Sequence, residues 1–202
     1  MMRKLVLAAV MLITASQISM AWKPRISYGM EWGYSATFLK TAQHNFICEE
    51  GYRIVDNPES NRYLSNGTIM FNAGTDLGNH FNVSACTGIL GVYAKRWVIP
   101  MELRVKYLPA GVQCNGFLLQ AAGGAEFPTS VLHETGLRGL LGCGYRLAVY
   151  KSISVDVLLS ATVTLDHERI MDPDTAEYVS RAKITANTAE YYAVNLSLAI
   201  NF

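Results

Sequence analysis

The sequence predicts an all-β protein, a closed antiparallel up-and-down β-barrel of about eight strands that crosses a membrane. Three observations predict it. Long segments alternate between apolar residues and small or polar ones. Short turns alternate along the chain with connections that are mostly long. The chain ends in an alternating strand whose last residue is Phe202. Composition points the same way. Half of the 202 residues are apolar and only 16% are charged, where a soluble domain carries about a quarter. That balance requires either a large buried core or a surface that faces lipid. The formal charge of +1 offers no electrostatic footprint for nucleic acid.

The first residues read as an export signal. Met1, Met2, Arg3 and Lys4 form a short basic start, Leu5 to Ile13 an apolar stretch, and Ser19-Met20-Ala21 offers small residues where a signal peptidase reads. Residues 1–21 are therefore expected to be a cleaved secretory signal peptide and residues 22–202 an outer-membrane barrel domain. Trp22 follows the expected cleavage site, so no lipid-bearing cysteine opens the mature chain. Beyond the signal no run of 18 apolar residues occurs. A membrane-spanning helix is therefore not expected, and the mature chain is either exported and soluble or crosses the membrane as strands.

The first mature segment carries the clearest pattern. Ile26, Tyr28, Met30, Trp32, Tyr34, Ala36 and Phe38 alternate with Ser27, Gly29, Glu31, Gly33, Ser35 and Thr37. A strand sends alternate side chains to opposite faces, so this one has an aromatic-rich apolar face and a small or polar face. It is longer than the usual soluble strand of about 5–6 residues and fits a tilted membrane-spanning strand of about 9–11 residues with its ends. The same alternation recurs at Thr68 to Gly74, Phe81 to Ile89, Ile99 to Tyr107, Gly116 to Glu126, Leu141 to Val149, Ile153 to Thr164 and Tyr192 to Phe202. Between these segments Asp76 to His80, Leu108 to Gly111 and Tyr150 to Ser152 read as tight turns. Leu39 to Gly67, Phe127 to Arg138 and Asp166 to Tyr191 read as longer loops on the other side, where only Tyr93 to Trp97 is short. Short periplasmic turns and longer outer loops are the habit of outer-membrane barrels.

With these features the mature chain resembles the small outer-membrane β-barrel domain family, PorT-like in the broad sense. The resemblance rests on Ile26 to Phe38, on Val98-Ile99-Pro100-Met101-Glu102-Leu103 and on the terminal strand to Phe202. It implies a bacterial outer-membrane location, contact with outer-membrane lipid, and recognition of the last strand by the outer-membrane assembly machinery. It implies no single activity, since one fold hosts many functions.

The polar faces supply the candidate site. Glu31, Glu102, Arg104, Lys106, Arg146 and Asp156 are expected to form a charge network in the lumen, joined by Gln120 and Glu126. A barrel of about eight strands has an interior just wide enough for side chains, and buried charges must be paired or solvated. The turn near Lys151 sets Arg146 opposite Asp156, which predicts that pair. Glu31 is expected to meet Arg104 or Arg146, and Leu90, Leu118 and Leu158 to point inward. The network reads as a plug in preference to an ion path.

Other chemistry has little support. The histidines are His44, His80, His133 and His167, three of them in expected outer loops, and neither Gly-x-Ser-x-Gly nor His-Glu-x-x-His occurs. No catalytic residue, cofactor or metal site is expected. Cys48, Cys86, Cys114 and Cys143 are too widely spaced for a zinc or redox motif; Cys143 reads as a small apolar strand residue, and Cys86 and Cys114 as the same, facing inward. The function expected is a structural, adhesive or accessory role through the outer loops of a plugged barrel. A narrow solute channel is the alternative, and a lipid-modifying enzyme at the rim a further one.

Overall fold

The computed structural model describes residues 25–60, 63–92, 96–129, 134–150 and 152–202. The expected signal peptide, His133 and Lys151 lie outside the described residues.

Ten strands are described: β1 (Arg25–Ile47), β2 (Arg53–Asp56), β3 (Glu59–Ser60), β4 (Leu64–Leu77), β5 (Phe81–Gly91), β6 (Trp97–Tyr107), β7 (Gly116–Pro128), β8 (Gly136–Tyr150), β9 (Ile153–Asp166) and β10 (Ile184–Asn201). Eight of them, β1 and β4 to β10, close into an antiparallel barrel. Consecutive strands pair from β4 to β10, and β1 closes the ring by pairing with both β4 and β10. Closure leaves the wall no unpaired edge.

The faces follow the sequence alternation. Along β6 and β9 exposure changes at every residue. Leu103 and Val105 face out, while Glu102, Arg104 and Lys106 are buried. The large apolar residues lie outside and the polar ones inside, the reverse of a barrel made for water. Small inward residues let the strands approach: a Cβ on Gly33 would stand 2.3 Å from the carbonyl oxygen of Leu196, and one on Gly144 2.2 Å from that of Val157.

Eight of the outward aromatics form two rows, with Trp32, Tyr34 and Phe71 exposed between them. Tyr28 and Phe38, Trp97 and Tyr107, Phe117 and Phe127, and Tyr192 and Phe202 are each ten residues apart on one strand or its end. Ten residues at about 3.3 Å each, tilted by about 40°, span about 25 Å along the barrel axis. That is the height of the apolar band of a membrane barrel between its aromatic girdles.

Proline and a bulge mark two irregular places in the wall. The β5–β6 register runs to Thr87↔Met101 and resumes at Leu90↔Val98; Pro100, fully buried on β6, has no N–H to give that ladder. In β1 the register with β10 shifts between Thr37 and Leu39. The shift exchanges the faces, so that Glu31, Ser35 and Thr37 are buried below it but Ala42 and Phe46 above it.

Four sequence expectations need correction. The stretch from Leu39 to Gly67 is not a loop: β1 continues to Ile47, β2 and β3 pair with it, and β4 begins at Leu64. Likewise the stretch from Asp166 to Tyr191 is not all loop, since β10 begins at Ile184 and not Tyr192. Above the bulge these strands lose the strict contrast between an exposed and a buried face, so the alternation that reveals a wall strand fades. The connection at Leu108 is not a four-residue tight turn. It runs from residue 108 to residue 115 and folds into the mouth, with Leu108 and Val112 buried against Leu118, Leu158 and Ala199. Cys114 lies on this turn and is exposed, not inward in a strand; Cys86 is buried.

Candidate functional site

Inward side chains of six strands meet in the lumen. Nearest the turn side, Arg146 on β8 and Asp156 on β9 are directly opposite. Arg146 donates Nε to Asp156 Oδ1 at 2.7 Å and Nη2 to Oδ2 at 2.8 Å. Lys106 Nζ donates to the same carboxylate at 2.9 Å, and Asn201 Nδ2 at 3.0 Å. The remaining amino group of Arg146 holds the Val112 carbonyl at 2.8 Å, which ties the 108–115 turn into the mouth.

Midway up, Arg104 binds both Glu31 and Glu102, the second at 2.6 Å. Ser197 Oγ donates to Glu31 at 2.6 Å. Of the two partners open to Glu31 in the sequence, the structure brings Arg104. Glu126 accepts from Arg138 at 3.2 Å and from Thr164 Oγ1 at 3.1 Å, and Arg138 also stands 3.5 Å from Glu102. Gln120 is buried in the lumen between these layers of charge.

Sequence reasoning did not reach the outer end of the lumen. Arg96 pairs with Asp166, and Lys40 Nζ holds both Glu168 oxygens at 2.8 Å. Tyr191 donates its hydroxyl to Glu168, with the Lys40 ammonium 5.6 Å from its ring centre. Under this layer Leu90, Val92, Val98, Ala42, Ala189 and Tyr191 form an apolar cluster. Apart from Leu90 and Val98, these residues lay in expected loops or at strand ends, where no alternation pointed inward.

The lumen is therefore filled in layers: an apolar cluster at the turn side, ion pairs through the middle, and an apolar cluster under a second ion layer at the outer end. Among the described residues six carboxylates meet six cations in these pairs. Such a set carries no excess charge to draw in an ion of either sign. In the outer half the void beside Arg138, Thr162 and Tyr191 is about 10 Å³, the lower limit for one water. The turn-side mouth is wider, with a cavity of about 250 Å³ beside Arg25, Asp76, Asn82 and Arg146.

No protein-family model matches the chain, and no curated protein matches it. Solved structures with a similar outline are outer-membrane proteins. The crystal structure of outer membrane protein OprG from Pseudomonas aeruginosa aligns over 89% of this chain and 97% of its own, with 8% identity and a TM-score of 0.42. That of the outer membrane protease OmpT from Escherichia coli aligns over 91% and 99%, with 10% identity and a TM-score of 0.33.

The outer segments are tied to one another. Asp172 accepts the Glu49 amide at 2.8 Å and the Asp174 amide at 2.9 Å, joining the 166–183 segment to the β1–β2 turn. Tyr52 donates to Asp174 at 2.6 Å, Lys183 Nζ stands 2.7 Å from Glu49, and Arg181 donates to Glu134 at 2.9 Å. The three described histidines do not converge. His80 Nδ1 lies 3.1 Å from the Leu108 carbonyl on the turn side, and His167 Nδ1 bonds the Asn187 carbonyl. His44 faces Asp56 and Asn187 across its two ladders, and its Nε2 is buried without a protein partner.

The Asp174 and Glu49 amides hold the Asp172 carboxyl below the usual carboxylate range. A carboxyl lowered by folding stabilises the docked segment above its unfolded pKa of about 3.9, and that stabilisation is lost as the pH falls through the lower folded value. The outer segment should stay docked at pH 5 and loosen only below about pH 4. Exchange rates of the Glu49 and Asp174 amides across that range check this. Loosening already near pH 6 would assign the tie to other groups.

Proposed function

We propose that this chain is an integral protein of the bacterial outer membrane whose lumen is sealed and which acts through its outer side, in a structural, adhesive or accessory role. The layered lumen is the observation that carries this reading. Pairs as close as Arg146–Asp156 fill the cross-section, and the 108–115 turn is bonded into one mouth. The girdle spacing of about 25 Å supports placement in a bilayer. Ties among the outer segments support a preorganised outer surface, which costs a partner less ordering on binding.

Two measurements on one preparation test the reading. Protein recovered from the outer-membrane fraction should change gel mobility on boiling, as a detergent-resistant barrel does. In planar bilayers it should give a flat current at every voltage. Steady unitary conductance would overturn the sealed lumen and favour the narrow-channel alternative. A single band from a soluble periplasmic protein would overturn the membrane placement.

A further inference from the structure

The outer rim of the barrel is stepped. β5 and β6 end at Gly91 and Trp97, whereas β1 continues to Ile47. Opposite this extension the chain runs from Tyr52 to Ser60 in one unbroken register. His44 faces Asp56, Ile47 faces Arg53 and Lys40 faces Ser60. The Cys48 amide donates to the Tyr52 carbonyl at 3.0 Å and the Ala42 amide to the Pro58 carbonyl at 2.9 Å. Those two bonds set the direction of every main-chain group between them. In an antiparallel ladder, alternate residues turn both N–H and C=O to the same neighbour. Tyr52, Ile54, Asp56 and Pro58 therefore turn theirs to β1, and Arg53, Val55, Asn57 and Glu59 turn theirs away.

Among the described residues no strand pairs with that outward side. An edge of this kind is a template for another strand. Proline is a common guard, but Pro58 sits at a position directed to β1 and leaves the outward groups intact. Beyond the girdles, where lipid does not cover the protein, Val55 is 60% exposed, Tyr52 46% and Tyr63 70%. Charge adds a preference. Between residues 49 and 60 the chain carries Glu49, Glu50, Asp56 and Glu59 against Arg53, and among the described residues only Glu49 of these has an ion pair, to Lys183.

We infer that the outward edge of residues 53–59 receives an extended basic polypeptide segment as an added strand above the β5–β6 hairpin. The inference rests on the reading that a sealed barrel acts through its outer side. Main-chain bonds to Arg53, Val55, Asn57 and Glu59 supply affinity, and alternate side chains beside Val55 and the carboxylates supply preference.

The test uses the folded full-length barrel in lipid nanodiscs and a capped Lys-Val-Lys-Val-Lys-Val-Lys peptide as probe. Amide exchange is read residue by residue. At a peptide concentration ten times its Kd, the Val55, Asn57 and Glu59 amides should exchange about tenfold more slowly. Those of Ile54 and Asp56, already turned to β1, should not change. Val55→Pro removes one outward N–H and none directed to β1, so it should abolish the protection while the barrel keeps its heat-modifiable mobility. Val55→Thr keeps the N–H and should retain binding. A peptide with Glu in place of Lys should bind more weakly. The proposal is overturned if no amide slows, if odd and even positions slow alike, or if Val55→Pro binds as the wild type does. A failed sealed-barrel reading shows itself separately, as conductance or loss of heat modifiability in the same preparation.

Discussion

Replacing Asp156 with alanine is expected to cost the folded barrel about 3–5 kcal/mol, the usual result of breaking a buried ion pair from one side. Asp156 is fully buried and accepts from Arg146, Lys106 and Asn201. Without it two cations remain inside a narrow lumen with no anion of their own. The Arg146 side chain also loses the partner that aims it at the Val112 carbonyl, so the 108–115 turn should loosen at the mouth. The urea concentration at which the heat-modifiable band disappears measures the loss. The cost comes from stranded charge, so it should be largely recovered when Arg146 and Lys106 are made apolar together with Asp156. A single variant with an unmoved midpoint would show that water enters the lumen and solvates the cations. In that case the sealed reading fails together with the prediction.

Leu103→Arg is expected to have the second largest effect, a destabilisation of about 2–4 kcal/mol for an arginine at the bilayer midplane. Leu103 faces outward on β6, six residues from Trp97 and four from Tyr107, close to the middle of the apolar band. Val149→Arg, near the turn-side end of β8, should cost about 0–1 kcal/mol by the same depth dependence. The comparison discriminates because the two readings differ in the depth dependence and size of the cost. For a protein in water, an exposed leucine exchanged for arginine costs little and raises solubility. Equal, negligible costs at both positions in vesicle-refolded protein would remove the lipid-facing assignment.

Much of the wall was legible in the sequence, and the reason is local. From Ile99 to Tyr107 or from Ile153 to Thr164 each residue sees either the lumen or the outer surface, and a period of two records that contrast directly. The register of Arg146 with Asp156 was legible for a related reason: a short turn between two alternating strands leaves few ways to pair them. Where the contrast disappears, so does the signal. Above the bulge at Phe38 the strict alternation of exposed and covered residues along β1 is lost, and the segment to Ile47 reads as loop although it forms nine further residues of strand. The burial of Leu108 and Val112 in the 108–115 turn was hidden because it depends on an interior not filled by its own strands.

Taken alone, the sequence determined the class of the fold, the faces of the spanning strands, and the set of charges that must share an interior. Each follows from covalent alternation along the chain, which needs no knowledge of distant partners. Only the tertiary structure decided that Glu31 goes to Arg104 and that Glu126 meets Arg138. It also decided that Lys40, Glu168 and Tyr191 close the outer end, and that residues 53–59 are left with an open edge. These relations arise when β1 meets β10 and the wall becomes a ring. Closure brings residues far apart in the chain to one depth in the lumen, and no local period encodes which depth each will reach.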